Sequence, residues 1–336
     1  PKLRFPGKTQ MDSGEAPISA QAEPVIDSMN PLTWFAASRR INEFQPDMVV
    51  VQWWHPFFAP PFATIARKCR KSAKVVFLCH NVIPHESSGP SRFLTQAAFS
   101  NAHSFIAHSE EDRRNLLDML PSAEVIKSPH PTYDVFNSGI WDQEECRREI
   151  GIDGNVILFF GLIRRYKGLE YLIEAMPLIL EKIDAKLLIV GEFYEDKTPY
   201  IDRIRSLGIE NRVIVIDRYV PNEEVGRYFT AADVVALPYV SATQSGIIQI
   251  AFGFGKPVIA TAVGGLPETV ADGETGYLVP PQNPEALACA IIKYFRESKG
   301  SEFAANISRV MDDFSWRKMV GVIESLAPRD GTICES

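Results

Sequence analysis

Short apolar runs recur along this chain, each separated from the next by a stretch long enough for one helix. No other feature restricts the fold as much. Met48-Val49-Val50-Val51, Val75-Val76-Phe77-Leu78, Ser104 to Ala107 and Val125-Ile126 form a first series. Val156 to Phe160, Leu187 to Val190, Val213 to Ile216, Val234 to Leu237, Val258 to Ala260 and Tyr277 to Val279 form a second. Runs this short and uninterrupted are the mark of strands buried on both faces. Strands alternating with helices require a parallel sheet, and right-handed crossovers make it doubly wound.

The intervening segments carry helical signals. Asn30 to Phe44, Phe62 to Cys69 and Ser91 to Ala102 have apolar residues at helical spacing. Ser109 precedes Glu110, Glu111 and Asp112, as an N-cap precedes an acidic first turn. Leu169, Leu172, Ile173, Met176 and Leu180 make one apolar stripe, which Pro177 is expected to kink. The Pro-bearing segment from Ser128 to Gln143 reads as a linker between two α/β domains.

A length of 336 residues, 46% hydrophobic and 23% charged, suits two buried cores. The net charge of −7 argues against a dedicated nucleic-acid binder. Cys69, Cys79, Cys146, Cys289 and Cys334 are scattered, as reduced thiols would be, and offer no zinc spacing. No apolar run reaches the roughly 20 residues that cross a bilayer, and a cytoplasmic location is expected. Pro1 to Asn30 reads as a loop. The chain opens on Pro1, and about four strands stand where a doubly wound sheet typically has about six. The expectation is therefore a segment of a longer protein whose first strands lie upstream, with weak or no turnover of its own.

Ligands of open parallel sheets bind beyond the carboxyl ends of the strands. That rule selects His80-Asn81, Gly161 to Gly168, Gly191-Glu192, Tyr239 to Gly246 and Thr261 to Glu268. In the second of these, Gly161 permits close backbone approach while Arg164 and Lys167 bring positive charge to a helix start, as a diphosphate requires. A basic solvated loop is the plainer account. Ser245-Gly246-Ile247 would offer backbone amides to a phosphate, or form an ordinary helix start with Ser245 as N-cap. Glu268 is expected to enter a helix after Gly264-Gly265, where it would meet a ligand hydroxyl or serve the helix dipole.

These motifs, in order, resemble the retaining glycosyltransferases of family 4 (group 1). The resemblance runs from about Val156 to Trp316, through FFG-x-I-R-x-Y-K-G-L, K-L-L-I-V-G-E, A-A-D-V-V-A-L-P, G-K-P-V-I-A-T-A-V-G-G-L-P-E and G-x-T-G-Y-L-V-P-P. Cys79-His80-Asn81 and Ile106-Ala107-His108-Ser109 carry a fainter match in the first half.

The resemblance implies a GT-B fold of two Rossmann-like domains facing a cleft. Residues 1–135 would form the acceptor side and 136–314 the nucleotide-sugar domain. A helix at 315–327 would cross back to the first. It implies a hexosyltransferase-type enzyme using a nucleotide-sugar donor and a glycan or lipid-linked acceptor. Gly161, Arg164, Lys167, Ser245, Gly246, Ile247, Gln249 and Glu268 would hold the donor, and His80 would lie beside the transferred sugar. Leu162 replaces the family's usual Arg, and Arg164 would supply that charge.

The family's two glutamates before the GKP motif fall on Ala242 and Ile250, neither acidic; Gln249 is one position away, about 100° around a helix. A subset of the family resembles this A-T-Q-S-G pattern. No metal and no other cofactor is expected, because fixed cations and helix dipoles can stabilise the leaving diphosphate. His55, His85, His108 and His130 carry weaker signals, the last two read as structural. The cluster Arg67, Lys68, Arg70, Lys71 and Lys74 allows peripheral contact with an anionic membrane at its inner face. A solvated helix end explains the cluster more simply.

A non-catalytic nucleotide-sugar-binding protein is the main alternative. A hydrolase or epimerase would need an acidic pair in the cleft. A Rossmann oxidoreductase would need a GxGxxG motif after a strand.

Overall fold

The computed structural model describes residues 22–82, 89–137 and 141–328. The loop expected from Pro1 lies largely outside these residues, as do His85 and Cys334. The described residues divide into two compact units, residues 131–314 and residues 22–130 with 315–328.

The first unit begins with α1 (Pro31–Phe44), capped by the Asn30 side chain on Leu32 N–H with Pro31 at the first helical position. It continues through β1 (Met48–Trp53), α2 (Ala59–Cys69), β2 (Lys74–Cys79), α3 (Gly89–Phe99), β3 (Ser104–Ala107), α4 (Glu110–Met119) and β4 (Glu124–Lys127). All strand pairs are parallel, in the order β1-β2-β3-β4. Each crossover steps the same way, so right-handed connections place their helices on one face. Val75, Phe77 and Cys79 point to that face and pack with Ile65 and Cys69 of α2, Phe99 of α3 and Leu116 of α4. Val76, Leu78 and Ile106 point to the other.

The second unit contains α5 (Gln143–Ile150), β5 (Asn155–Phe160), α6 (Leu169–Leu180), β6 (Ala185–Val190), α7 (Thr198–Ser206), β7 (Val213–Ile216) and α8 (Asn222–Ala231). Then come β8 (Val234–Leu237), α9 (Gly246–Gly253), β9 (Val258–Thr261), β10 (Gly276–Val279), α10 (Pro284–Arg296) and α11 (Gly300–Val310). Its parallel sheet has the order β10-β9-β8-β5-β6-β7. Ile157, Phe159, Leu187 and Ile189 face one core with α6 and α10. Val156, Leu158, Leu188 and Val190 face the other with α8 and α9. Burial on both faces explains why these strands read as continuous apolar runs.

The chain then forms α12 (Trp316–Ser325), capped by Ser315 on Lys318 N–H. Met319 of α12 and Leu326 beyond it pack on Val76, Leu78 and Ile106, covering the face of the first sheet that α2, α3 and α4 leave open. No described helix is long and apolar enough to cross a membrane.

Two local readings change, the linker and the helix at Glu268. The segment taken as a linker belongs from Pro131 onward to the second unit. Thr132 N–H donates to Phe314 O, Asp134–Phe136 form a 3-10 turn and α5 starts at Gln143. Pro177 is housed inside α6, which runs on to Leu180. No α-helix receives Glu268: Leu266–Glu268 is a single 3-10 turn ending on it, so no helix dipole acts there.

Candidate functional site

The strand order of the second unit reverses direction between β5 and β8, and that switch point is where a doubly wound sheet opens a crevice. Two loops leave from it, the one after β5 and the one after β8.

Gly161 follows β5 at φ 104°, a conformation that favours glycine, and its N–H donates to Val190 O. A β-carbon on Gly161 would meet Lys167 Nζ at 3.0 Å and Ile247 Cδ1 at 3.3 Å. The missing side chain is therefore the space into which the lysine and the start of α9 converge. Next, Ile163 N–H donates to Glu192 O and Tyr194 N–H to Ile163 O. The Arg164 guanidinium lies over the Tyr194 ring, 4.3 Å from its centroid.

Arg165–Lys167 form a 3-10 turn closed by Gly168 in the left-handed region. Val240 N–H donates to Tyr166 O at 2.7 Å, tying this loop to the one after β8. Lys167 is 8% exposed, and burial, with the Arg164 charge second, pulls its ammonium down to about 8. Among the described residues Lys167 has no ion pair; its Nζ stands 5.7 Å from the Tyr239 ring centroid.

Ser245 occupies the N-cap position of α9, but its side chain caps nothing. Its Oγ lies 3.4 Å from the Tyr239 hydroxyl, itself fully enclosed, and burial pushes that phenol up. The first amides of α9 therefore receive no cap from Ser245, at the positive end of the helix dipole. Gly246 is exposed and Ile247 half-buried. Tyr133 flanks the site, its Cε2 3.4 Å from where a Gly246 β-carbon would lie.

One turn into α9, Gln249 is 1% exposed with its Oε1 unpartnered. Glu192 Oε2, after β6, is also buried without a hydrogen bond. Ala242 and Ile250 are both buried in the apolar core behind the loop, where a carboxylate would face desolvation.

The fold thus brings together Gly161, Lys167, Ser245, Gly246 and Ile247, with Arg164 beside the lysine and Gln249 behind. Glu268 stands exposed on the next loop, after β9. His80 belongs to the first unit, where its N–H donates to Trp53 O at 2.8 Å. Burial first, and His130 second, hold His80 down to about 4. Tyr194 and Tyr133 were not singled out from sequence, whereas Glu192, whose Oε2 is unpartnered, was selected there by its place after β6.

A family model described as Glycosyltransferase Family 4 matches residues 22–128, and one described as Glycosyl transferases group 1 matches residues 154–297. The two halves of the chain thus match, in order, the models of the paired domains of family 4, group 1 glycosyltransferases. Among curated relatives, the chain is 33% identical over 218 residues to the D-inositol 3-phosphate glycosyltransferase of Corynebacterium diphtheriae, covering 61% of the chain and 51% of the relative. The Corynebacterium glutamicum protein of the same name is 31% identical over 70% of the chain and 59% of its own length. The chain spans about half the length of the curated relatives it matches.

Solved structures confirm the GT-B architecture of two parallel-sheet α/β domains. Sucrose-phosphate synthase from Thermosynechococcus elongatus superimposes with TM-score 0.72 at 22% identity, over 95% of this chain and 86% of that one. Anabaena HepE in complex with UDP gives 0.72 at 20% identity, over 90% and 85%.

Proposed function

We propose that this glycosyltransferase chain serves the transfer of a hexose from a nucleotide-sugar donor to a glycan or lipid-linked acceptor, with retention at the anomeric carbon. The observation that carries the reading is Lys167, a buried cation with no ion pair among the described residues, beside an α9 start that Ser245 leaves uncapped. A buried charge without a partner is expensive unless a ligand supplies one, and a diphosphate matches both features.

In the transition state of such a transfer, negative charge grows on the leaving diphosphate and positive charge on the sugar ring. Lys167, Arg164 and the amides of Gly246 and Ile247 would take the negative charge. This arrangement supplies fixed positive charge where a metal ion would otherwise serve. The Gln249 amide and the Glu268 carboxylate would bond donor hydroxyls. His80, neutral at physiological pH, would hydrogen-bond the transferred sugar or orient the acceptor. UDP is the first nucleotide to try, because HepE has been solved with UDP-glucose. A lipid-linked acceptor would bring exposed Arg67, Lys68, Arg70 and Lys71 near an anionic inner membrane face.

The test is a calorimetric titration of the chain with UDP, GDP and ADP, repeated on Lys167→Ala. Micromolar affinity for one of them, about −8 kcal/mol, abolished by the substitution, supports the reading. No binding of any nucleotide to the intact chain would refute it.

A further inference from the structure

A second constellation stands in the first unit and includes His80. Cys79 pairs in register with Ala107, and Ala107 with Lys127. His80 and His108, each the next residue after its strand, therefore lie level on adjacent strands, about 4.8 Å apart in the hydrogen-bonding direction. Ser128 N–H extends the ladder to Ala107 O, and Pro129 then turns the chain to His130. The ring centroids are 5.1 Å apart for His80 and His108, 5.3 Å for His80 and His130, and 4.8 Å for His108 and His130. One ring nitrogen from each histidine lies within 4.8 Å of the others.

We propose that His80, His108 and His130 form a three-nitrogen site for a divalent transition metal, zinc by its donor set, at the carboxyl ends of β2, β3 and β4. Tetrahedral zinc with Zn–N bonds of about 2.0–2.1 Å places its ligand nitrogens about 3.3 Å apart. Side-chain rotation closes the difference, since each imidazole hangs from a separate strand end. His108 Nδ1 lies 2.9 Å from Ser128 O, which only accepts, so Nδ1 carries the proton and Nε2 the lone pair. A backbone carbonyl that fixes the tautomer and ring direction is the usual support of a metal-binding histidine.

All-imidazole donors suit zinc, copper and nickel better than magnesium or calcium, which take oxygen. The neighbouring Cys79 thiol adds no sulfur, because its side chain packs in the apolar core on the helical face of the sheet. Three ligands leave a fourth tetrahedral position for water or a hydroxyl. A metal here would also take the lone pair of His80, so metal binding and any sugar contact by His80 exclude each other.

The test titrates zinc into the chelator-treated 336-residue chain against a chromophoric chelator. Alongside are His80→Ala, His130→Ala and, as control, His55→Ala, whose Nδ1 instead accepts from Phe57 N–H. One zinc per chain, weakened at least about tenfold in both triad variants and unchanged in the control, is the expected result. Cobalt(II) added to the unsubstituted chain should give the visible absorption of a four-coordinate nitrogen site, a readout that needs no variant to fold. Less than one zinc per chain, affinity retained in both triad variants, or a purely octahedral cobalt spectrum would overturn the proposal.

Discussion

The α-carbon of Gly191, beyond β6, faces the carbonyl of Gly161, beyond β5, so closely that a β-carbon would lie 2.1 Å from that oxygen. Gly191 also sits at φ 144°, which a side chain rarely adopts. Gly191→Ala therefore meets backbone that cannot yield, and is expected to cost at least about 2 kcal/mol of unfolding free energy. Gly208→Ala is the comparison. Gly208 shares the left-handed strain at φ 67°, but nothing lies within 4 Å of its missing β-carbon, so about 1 kcal/mol is expected. Urea unfolding of both variants checks the difference; equal costs would show that close packing of the two strand ends is not what requires the glycine.

Lys167 links stability to pH. Its folded-state value is depressed to about 8, below that of an unfolded lysine. Between about 8 and the unfolded value of about 10.4, the unfolded chain binds more protons, so stability rises with pH across that window. Below it the buried charge costs up to about 3 kcal/mol. Lys167→Met is thus expected to raise the melting temperature of the ligand-free chain at pH 7 while removing nucleotide binding. A fall in melting temperature would contradict this account.

Ser245 and Ser109 separate two kinds of helix start. Ser109 Oγ accepts from Asp112 N–H at 3.0 Å, so Ser109→Ala should cost about 1 kcal/mol. Ser245 caps nothing, and Ser245→Ala should cost less than about 0.5 kcal/mol while weakening nucleotide affinity. Chemical denaturation beside calorimetry distinguishes the two.

Arg147 holds α5 against the rest of its unit. Its NH2 nitrogen donates to both carboxylate oxygens of Asp233, at 2.9 and 2.8 Å, and its Nε donates to Ala231 O. Asp233 also accepts from Val156 N–H. Asp233→Ala strands a mostly buried guanidinium and an amide, and about 2–3 kcal/mol should be lost. A loss below about 1 kcal/mol, from equilibrium unfolding, would show the pair to be incidental.

The strands were legible because a sheet covered on both faces needs apolar residues at every position; Val213–Ile216 and Val234–Leu237 have the bounds read from sequence. Helix α5 was not legible, since Cys146 is its only buried residue and its apolar pattern is correspondingly faint. Ser109 and Ser245 look alike as sequence, yet only the former caps. What separates them is the Tyr239 hydroxyl near Ser245 Oγ, a tertiary contact with no local trace. The candidate donor loops were legible because strand ends mark crevices. The grouping of His80, His108 and His130 was not, since only strand register brings the three loops to one level.

Met319 and Leu326 cover one face of a sheet whose strands all lie before residue 130. Order of synthesis is therefore not order of completion. On the ribosome, Val76, Leu78 and Ile106 must wait for Met319 and Leu326 while the entire second unit is made. The unit begun first is finished last, and for that interval its sheet lacks the cover that Met319 and Leu326 give.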